Sequence, residues 1–281
     1  MHCSRKPHLA ESWKADECVM FFILFFLLLL ISGITIGIMS GVMGVGGGVL
    51  YIPLLEFAFD IPIDRVVGTS IVVVFVTSLS GAYFHSAAGH IHWETSKIFA
   101  LWGGLGAVLG SLIFIEIRGL TVILEALMTV IFLQAARILA RQGIGDITGK
   151  PPACPTSFSR RKKKAVGFVV GILAGITGVG GGFLLLPIFI CLLGLPGYVA
   201  VGSSLVSVVI ISGVSSAFKI AGNGVDYVAV IALSIGSFAG TGFGTRYAKR
   251  FPDGWLKISF SVLLVFVAIG FIYEILETIH I

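Results

Sequence analysis

Charge is scarce in this chain of 281 residues: only 12% are Asp, Glu, Lys or Arg, against about 25% in a soluble domain. With 57% of its residues apolar, the chain lacks the polar groups to cover a water-facing surface, which excludes an ordinary soluble globule. Cysteine is sparse as well. Cys3, Cys18, Cys154 and Cys191 fall into no CxxC or CxxH spacing, so neither a zinc knuckle nor a disulfide framework is indicated. No HExxH or GxSxG segment occurs, and an enzyme reading is correspondingly weak. Glycine is abundant, at 37 residues. It has no every-third-residue period, so collagen is excluded, and in an apolar chain it points to close helix packing and broken helices. The formal charge of +5 does not indicate nucleic acid. Five basic residues form the single run Arg160 to Lys164 between apolar stretches, as expected of a loop that fixes orientation in a membrane.

Apolar stretches near the bilayer-spanning length of about 20 residues lie at 66–86, 98–117, 120–140, 198–221, 225–245 and 255–276. Two more, 19–59 and 165–195, are interrupted by glycine clusters, Gly41 to Gly48 and Gly175 to Gly182, followed by Pro53 and Pro187. They read as helix, break, helix. The run Val19 to Met39 exceeds a signal-peptide core and leads into the first cluster, so it belongs to the mature protein.

Internal repetition is the strongest signal. GVMGVGGGVLYIP from Gly41 matches GITGVGGGFLLLP from Gly175, an offset of 175 − 41 = 134. Without a gap the same offset carries Pro62 onto Pro196, Thr69-Ser70 onto Ser203-Ser204, His85 onto Lys219, His92 onto Asp226, and Gly106 and Gly110 onto Gly240 and Gly244. The chain reads as a polar segment 1–18, a first membrane repeat 19–140, a basic linker 141–164 with Pro151, Pro152 and Pro155, and a second repeat 165–281. The expected fold is all-α and polytopic, each repeat a glycine-broken, re-entrant hairpin plus three transmembrane helices. A re-entrant or doubly crossing hairpin makes the crossings per repeat odd, and odd crossings invert the second copy. A single crossing by the long leading arm Val19 to Ser40 would make the repeats parallel instead. With the linker cytoplasmic, the inverted arrangement also puts Lys97, Arg246, Lys249, Arg250 and Lys257 inside, as the positive-inside rule asks.

Irregular backbone at membrane depth is costly unless it lines a cavity or is buried in protein. The breaks at Gly46, Gly47 and Gly48 and at Gly180, Gly181 and Gly182 are therefore candidate substrate sites, where helix N-termini point amides and positive dipole ends at an anion. The bland alternative is close helix crossing by small residues. Along 66–86, Ser70, Thr77, Ser78, Gly81 and His85 share a face, and Ser204, Ser212, Ser215 and Lys219 repeat it. With Thr69 and Ser203 they form a candidate hydroxyl path ended by cations, against a reading as packing residues and snorkelling ends. An inverted pair of helices would place His85 and Lys219 at opposite ends. His85, His90 and His92 lack a carboxylate or Cys to complete a metal shell, so no metal or cofactor is expected. Glu56 and Glu125 are candidate proton carriers, with solvation near helix ends as the competing reading. The GxGD at Gly143 to Asp146 lies in the linker without a partner aspartate.

The duplicated motif Gly44 to Pro53 and Gly178 to Pro187, the triplets Gly68-Thr69-Ser70 and Gly202-Ser203-Ser204, and the stretches near 88–93 and 221–227 resemble the sulfite exporter TauE/SafE family of membrane permeases. The resemblance covers most of residues 20–275. It implies a plasma-membrane transporter of about eight hydrophobic segments that moves small sulfur-containing or organic anions, such as sulfite or sulfonates, with export coupled to protons. Its partners would be the anion and the lipid bilayer, with no nucleic acid and with homo-oligomerisation left open. A passive anion channel on the same scaffold is the alternative, and a membrane enzyme or assembly factor of sulfur metabolism a third.

Overall fold

The computed structural model describes residues 15–117, 121–149, 159–247 and 253–280. Lys150, Pro151, Pro152, Pro155, Lys249, Arg250, Cys3 and Cys154 lie outside the described residues. All regular structure described is helical. In chain order it comprises α1 (Ala15–Met43), α2 (Gly48–Pro53) continuing into a π-helical turn (Leu54–Ala58), α3 (Ile63–Ala87), α4 (Trp93–Ile117) and α5 (Thr121–Thr148), followed by α6 (Arg160–Thr177), α7 (Gly182–Leu193), α8 (Gly197–Ala221), α9 (Tyr227–Tyr247) and α10 (Asp253–His280).

Six helices among the described residues are long and apolar enough to cross a bilayer: Met20–Met43, Ile63–Ala87, Trp93–Ile117, Val122–Thr148, Gly197–Ala221 and Tyr227–Tyr247. Five coincide with the expected spans. The sixth expectation, 255–276, falls in α10, whose described apolar stretch is the shorter Leu264–Tyr273. α10 as a whole is a helix of 28 residues, and the sixth candidate lies in α1, an unbroken helix of 29 residues. Large apolar side chains such as Leu101, Leu105 and Leu109 on α4, and Ile231 and Ile235 on α9, face outward, while hydroxyls such as Ser70, Thr77, Ser204 and Thr241 are fully buried. That distribution inverts the soluble pattern and suits a chain whose solvent is lipid.

Both interrupted stretches fold as helix, break, helix. Gly44 and Gly178 end α1 and α6 in the left-handed conformation, their amides reaching back to the carbonyls of Ser40 (2.7 Å) and Ala174 (3.0 Å), a helix stop that glycine makes without strain. Pro53 has no amide to continue the ladder, and the chain passes there into the π-helical turn.

Packing follows two ladders of glycine. Gly33, Gly37 and Gly41 of α1 lie against the backbone of Leu233, Ser237 and Thr241 of α9, while Gly236, Gly240 and Gly244 of α9 lie against α1. Small residues at four-residue spacing let two parallel helices touch backbone to backbone. The offset of 134 reproduces this pairing in the other half, with Gly167, Gly171 and Gly175 of α6 against Phe99, Gly103 and Ala107 of α4. Each repeat's leading helix therefore packs on the other repeat. The equivalent helices α3 and α8 run antiparallel, since Gly68 near the start of α3 meets Gly224 after the end of α8, and Gly202 near the start of α8 meets His90 after the end of α3. Such contacts recur in exchanged pairs. At the crossing of α5 and α10, Gly143 and Gly254 allow close approach, which gives the GxGD segment a packing role within α5.

Candidate functional site

The two breaks meet between α3 and α8. A Cβ built on Gly46 would lie 3.3 Å from Val74 Cγ1 and 3.4 Å from Val208 Cγ1, and one on Gly180 would contact the same two side chains. Val74 and Val208 are fully buried, lie one residue before the centres of α3 and α8, and are equivalent under the repeat. Gly47 and Gly181 adopt left-handed conformations, φ 81° and 74°, and cap α2 and α7. The carbonyl of Gly47 accepts from Leu50 and Tyr51, and that of Gly181 from Leu184 and Leu185. Among the described residues the amides of Gly46, Gly47 and Gly48, and of Gly180, Gly181 and Gly182, donate to no backbone carbonyl, as the first residues of any helix must. The carbonyl oxygen of Val179 lies beside Gly48, and that of Val45 beside Gly182, so close that a side chain would collide. Each arm's electropositive N-terminal end is thus neighbour to the other break's carbonyl, and all six glycines are buried. This arrangement is closed.

The hydroxyls predicted from the sequence divide into pairs related by the repeat. Ser70 donates to the carbonyl of Gly178 (3.1 Å) and Ser204 to that of Gly44 (2.9 Å), so each secures the opposite break. Thr69 Oγ1 accepts from the amide of Asp226 (2.9 Å) and Ser203 Oγ from that of His92 (2.8 Å), tying the α8–α9 and α3–α4 connections to the opposite helix. Ser78 and Ser212 donate to carbonyls of their own helices, Phe75 and Val208. Thr77 does likewise to Val73 (2.8 Å) and also meets the Tyr51 hydroxyl (3.1 Å). A carbonyl cannot donate, so the protons of Ser70, Ser204, Ser78, Ser212 and Thr77 are committed to backbone in this closed arrangement.

The charged candidates are buried and separated. His85 Nε2 lies 3.1 Å from the carbonyl of Gly41, which only accepts, so this nitrogen carries the proton. Lys219 sits at the other end of the antiparallel pair, its ammonium over the Phe114 ring. Glu56, in the π-helical turn, and Glu125, in the second turn of α5, are 7% and 3% exposed. Solvation near helix ends does not describe them. The turn that carries Glu56 is packed inward through Leu55, which is fully buried. His92 accepts from the amide of Thr95 and caps α4, while the rings of His85 and His90 are 5.6 Å apart. Among the described residues no three His, Cys, Asp or Glu side chains gather as a metal site.

Residue-type reasoning missed the two central valines and two polar groups beside the first break: Tyr51 and Ser40. The Tyr51 ring packs under Gly47, and its hydroxyl meets Thr77 Oγ1 at 3.1 Å. Among the described residues the buried Ser40 hydroxyl has no hydrogen-bond partner, an arrangement that costs about 1–3 kcal/mol. A subtraction of one repeat from the other would have found both polar groups, because they replace Leu185 and Ala174 at the same offset.

Residues 29–271 match the family described as Sulfite exporter TauE/SafE. A "Probable membrane transporter protein" of Xylella fastidiosa (strain 9a5c) is 31% identical over 250 residues, covering 86% of this chain and 93% of the relative. The "Probable membrane transporter protein YunE" of Bacillus subtilis (strain 168) is 26% identical over 262 residues, 86% of this chain and 95% of its own. Another Bacillus subtilis protein, "Probable membrane transporter protein YdhB", is 28% identical and covers 79% of this chain and 90% of its own. No solved structure matches the chain.

Proposed function

The chain belongs to the sulfite exporter TauE/SafE family, and on that premise we propose that it is a secondary transporter of small sulfur-containing or organic anions, sulfite or sulfonates, working by alternating access. The observation that carries this reading is the meeting of both glycine breaks on Val74 and Val208 at the middle of α3 and α8. Broken helices that converge at mid-depth across a repeat axis are where secondary transporters hold substrate.

The repeats at 19–140 and 165–281 are inverted in the plasma membrane, with the linker 141–164 cytoplasmic. Three relationships support this. Helices α3 and α8 are antiparallel. Helix α6 runs parallel to α4, with Gly171 on Gly103 and Gly175 on Ala107, so Arg160 to Lys164 share an end with Lys97. Helix α9 ends where α8 begins, as Thr241 and Leu205 both meet Gly81, which brings Arg246 to the same end. Cations gathered on one face are the mark of a cytoplasmic side.

In the closed state the carbonyls of Val45 and Val179 occupy the neighbourhood of the arms' N-termini. When the halves rock apart, those carbonyls withdraw and the amides of Gly46 to Gly48 and Gly180 to Gly182 turn to an anion, favoured by the dipoles of α7 and of the helical arm Gly48–Ala58. Exchange of conformation between the repeats converts an opening on one face into an opening on the other. Thr69, Ser70, Ser203 and Ser204 hold the breaks in register, while Thr77, Ser78 and Ser212 line the approach, with His85 and Lys219 at its two ends. Glu56 and Glu125, buried in an apolar bundle, carry the coupled protons.

The test is uptake by the purified protein in proteoliposomes, screened with sulfite, thiosulfate, sulfoacetate, taurine and carboxylates. Saturable uptake of one of these, dependent on a pH gradient, is expected. Flux that never saturates would assign the scaffold to a passive channel, and no flux of any of them would overturn the anion reading.

A further inference from the structure

The two breaks are alike in backbone and unlike in side chains. Beside the first, the Tyr51 ring lies against Gly47, and its hydroxyl is 3.1 Å from Thr77 Oγ1. Thr77 stands two residues past the centre of α3, so the cluster is at mid-depth. Ile36 also touches Gly47, and Ser40 is one helical turn further along α1, buried, its hydroxyl without a hydrogen-bond partner among the described residues. At the offset of 134, Tyr51, Thr77 and Ser40 become Leu185, Ile211 and Ala174. No side-chain donor stands at these positions beside the second break.

The protons of the cluster are parked rather than consumed. Thr77 donates to Val73 (2.8 Å), a carbonyl of its own helix. Such a back-bond competes with the helix ladder and is readily given up. With the Thr77 proton so placed, the Tyr51 hydroxyl donates to Thr77 Oγ1. A ligand with negative oxygens arriving beside Gly47 would therefore meet a tyrosine and a threonine proton that can swing to it, and a serine proton with nothing to lose.

Resting on the anion-carrier reading, we propose that the side-chain hydrogen bonds to the substrate oxyanion all come from beside the first break, its oxygens accepting from Tyr51, Thr77 and Ser40. The second break supplies backbone amides only and moves against this fixed cluster.

The test is binding of sulfite and of methanesulfonate to the full-length protein, read by calorimetry, with the ligand-free melting temperature measured beside it. Loss of a hydrogen bond to a charged group should make Tyr51→Phe bind about tenfold or more weakly. Ser40→Ala should also weaken binding while raising the melting temperature, since it removes an unsatisfied buried hydroxyl, a pairing of effects that a merely structural serine would not produce. Leu185→Met, at the position equivalent to Tyr51, should stay within about twofold of wild type, a volume-conserving change at a site without donors. Wild-type affinity in Tyr51→Phe and Ser40→Ala overturns the inference and leaves the carrier reading standing, as does equal loss in Leu185→Met. Absence of binding of either anion to the wild type overturns the carrier reading and this inference with it. Should Tyr51→Phe fail to fold, the Ser40→Ala pairing decides.

Discussion

Ser204 donates its hydroxyl to the carbonyl of Gly44 at 2.9 Å, and the equivalent Ser70 donates to Gly178 at 3.1 Å. Each repeat thus fastens the break of the other. Ser70→Ala or Ser204→Ala leaves a buried carbonyl without this partner, a loss of about 1–3 kcal/mol. The melting temperature of each variant in detergent should fall, and by similar amounts.

Val74 and Val208 fill the space between the breaks, and on the proposed carrier mechanism their volume limits what can pass. The double variant Val74→Ala, Val208→Ala should shift the uptake ratio of bulky sulfonates over sulfite in proteoliposomes by about tenfold or more, the size of effect a few methyl groups exert in an apolar pocket. Val208→Phe should block sulfite uptake. An unchanged ratio in the double variant would remove the valines from the path.

The glycine ladders make a sharper structural prediction. A Cβ at Gly37 would lie 2.7 Å from the Cα of Ser237, and backbone there cannot yield without separating α1 from α9. Gly37→Val should abolish the monodisperse peak in detergent size-exclusion chromatography. Gly224→Ala, whose new Cβ meets nothing nearer than 3.7 Å, should elute and melt like wild type.

Asp226 Oδ1 accepts from the amides of Val228 and Ala229, both at 3.1 Å, and so caps α9. Asp226→Ala should cost about 1 kcal/mol, seen as a lower melting temperature. Asp226→Asn, which keeps an accepting oxygen, should restore most of it.

The sequence made the architecture legible because repetition leaves a register that can be counted. Offset alone placed both breaks, paired Ser70 with Ser204 and Thr69 with Ser203, and foretold that His85 and Lys219 would stand apart if the copies are inverted. It did not foretell that Ser70 would reach across to Gly178, because the sequence does not say that the leading helices trade places and pack on the opposite repeat. Helix α1 was harder to place than the other spans, since its length suits a crossing and its glycine-broken end suits a re-entrant arm. Tyr51 escaped notice for a different reason. A search for what the repeats share passes over the positions where they differ, and the polar cluster beside the first break consists of such positions. The sequence pattern puts Glu56 and Glu125 near helix ends, where water would solvate them. The inward packing of the π-helical turn, which no local pattern announces, buries Glu56 instead.

On the proposed function, a closed, two-sided carrier holds an anion between its glycine breaks. Counterflow tests it most directly: proteoliposomes loaded with unlabelled sulfite are diluted into a trace of labelled sulfite, and internal label is followed with time. A carrier predicts a transient accumulation of label above equilibrium, because the site returns faster loaded than empty. Label that rises only to equilibrium, at a rate indifferent to the sulfite inside, would contradict it.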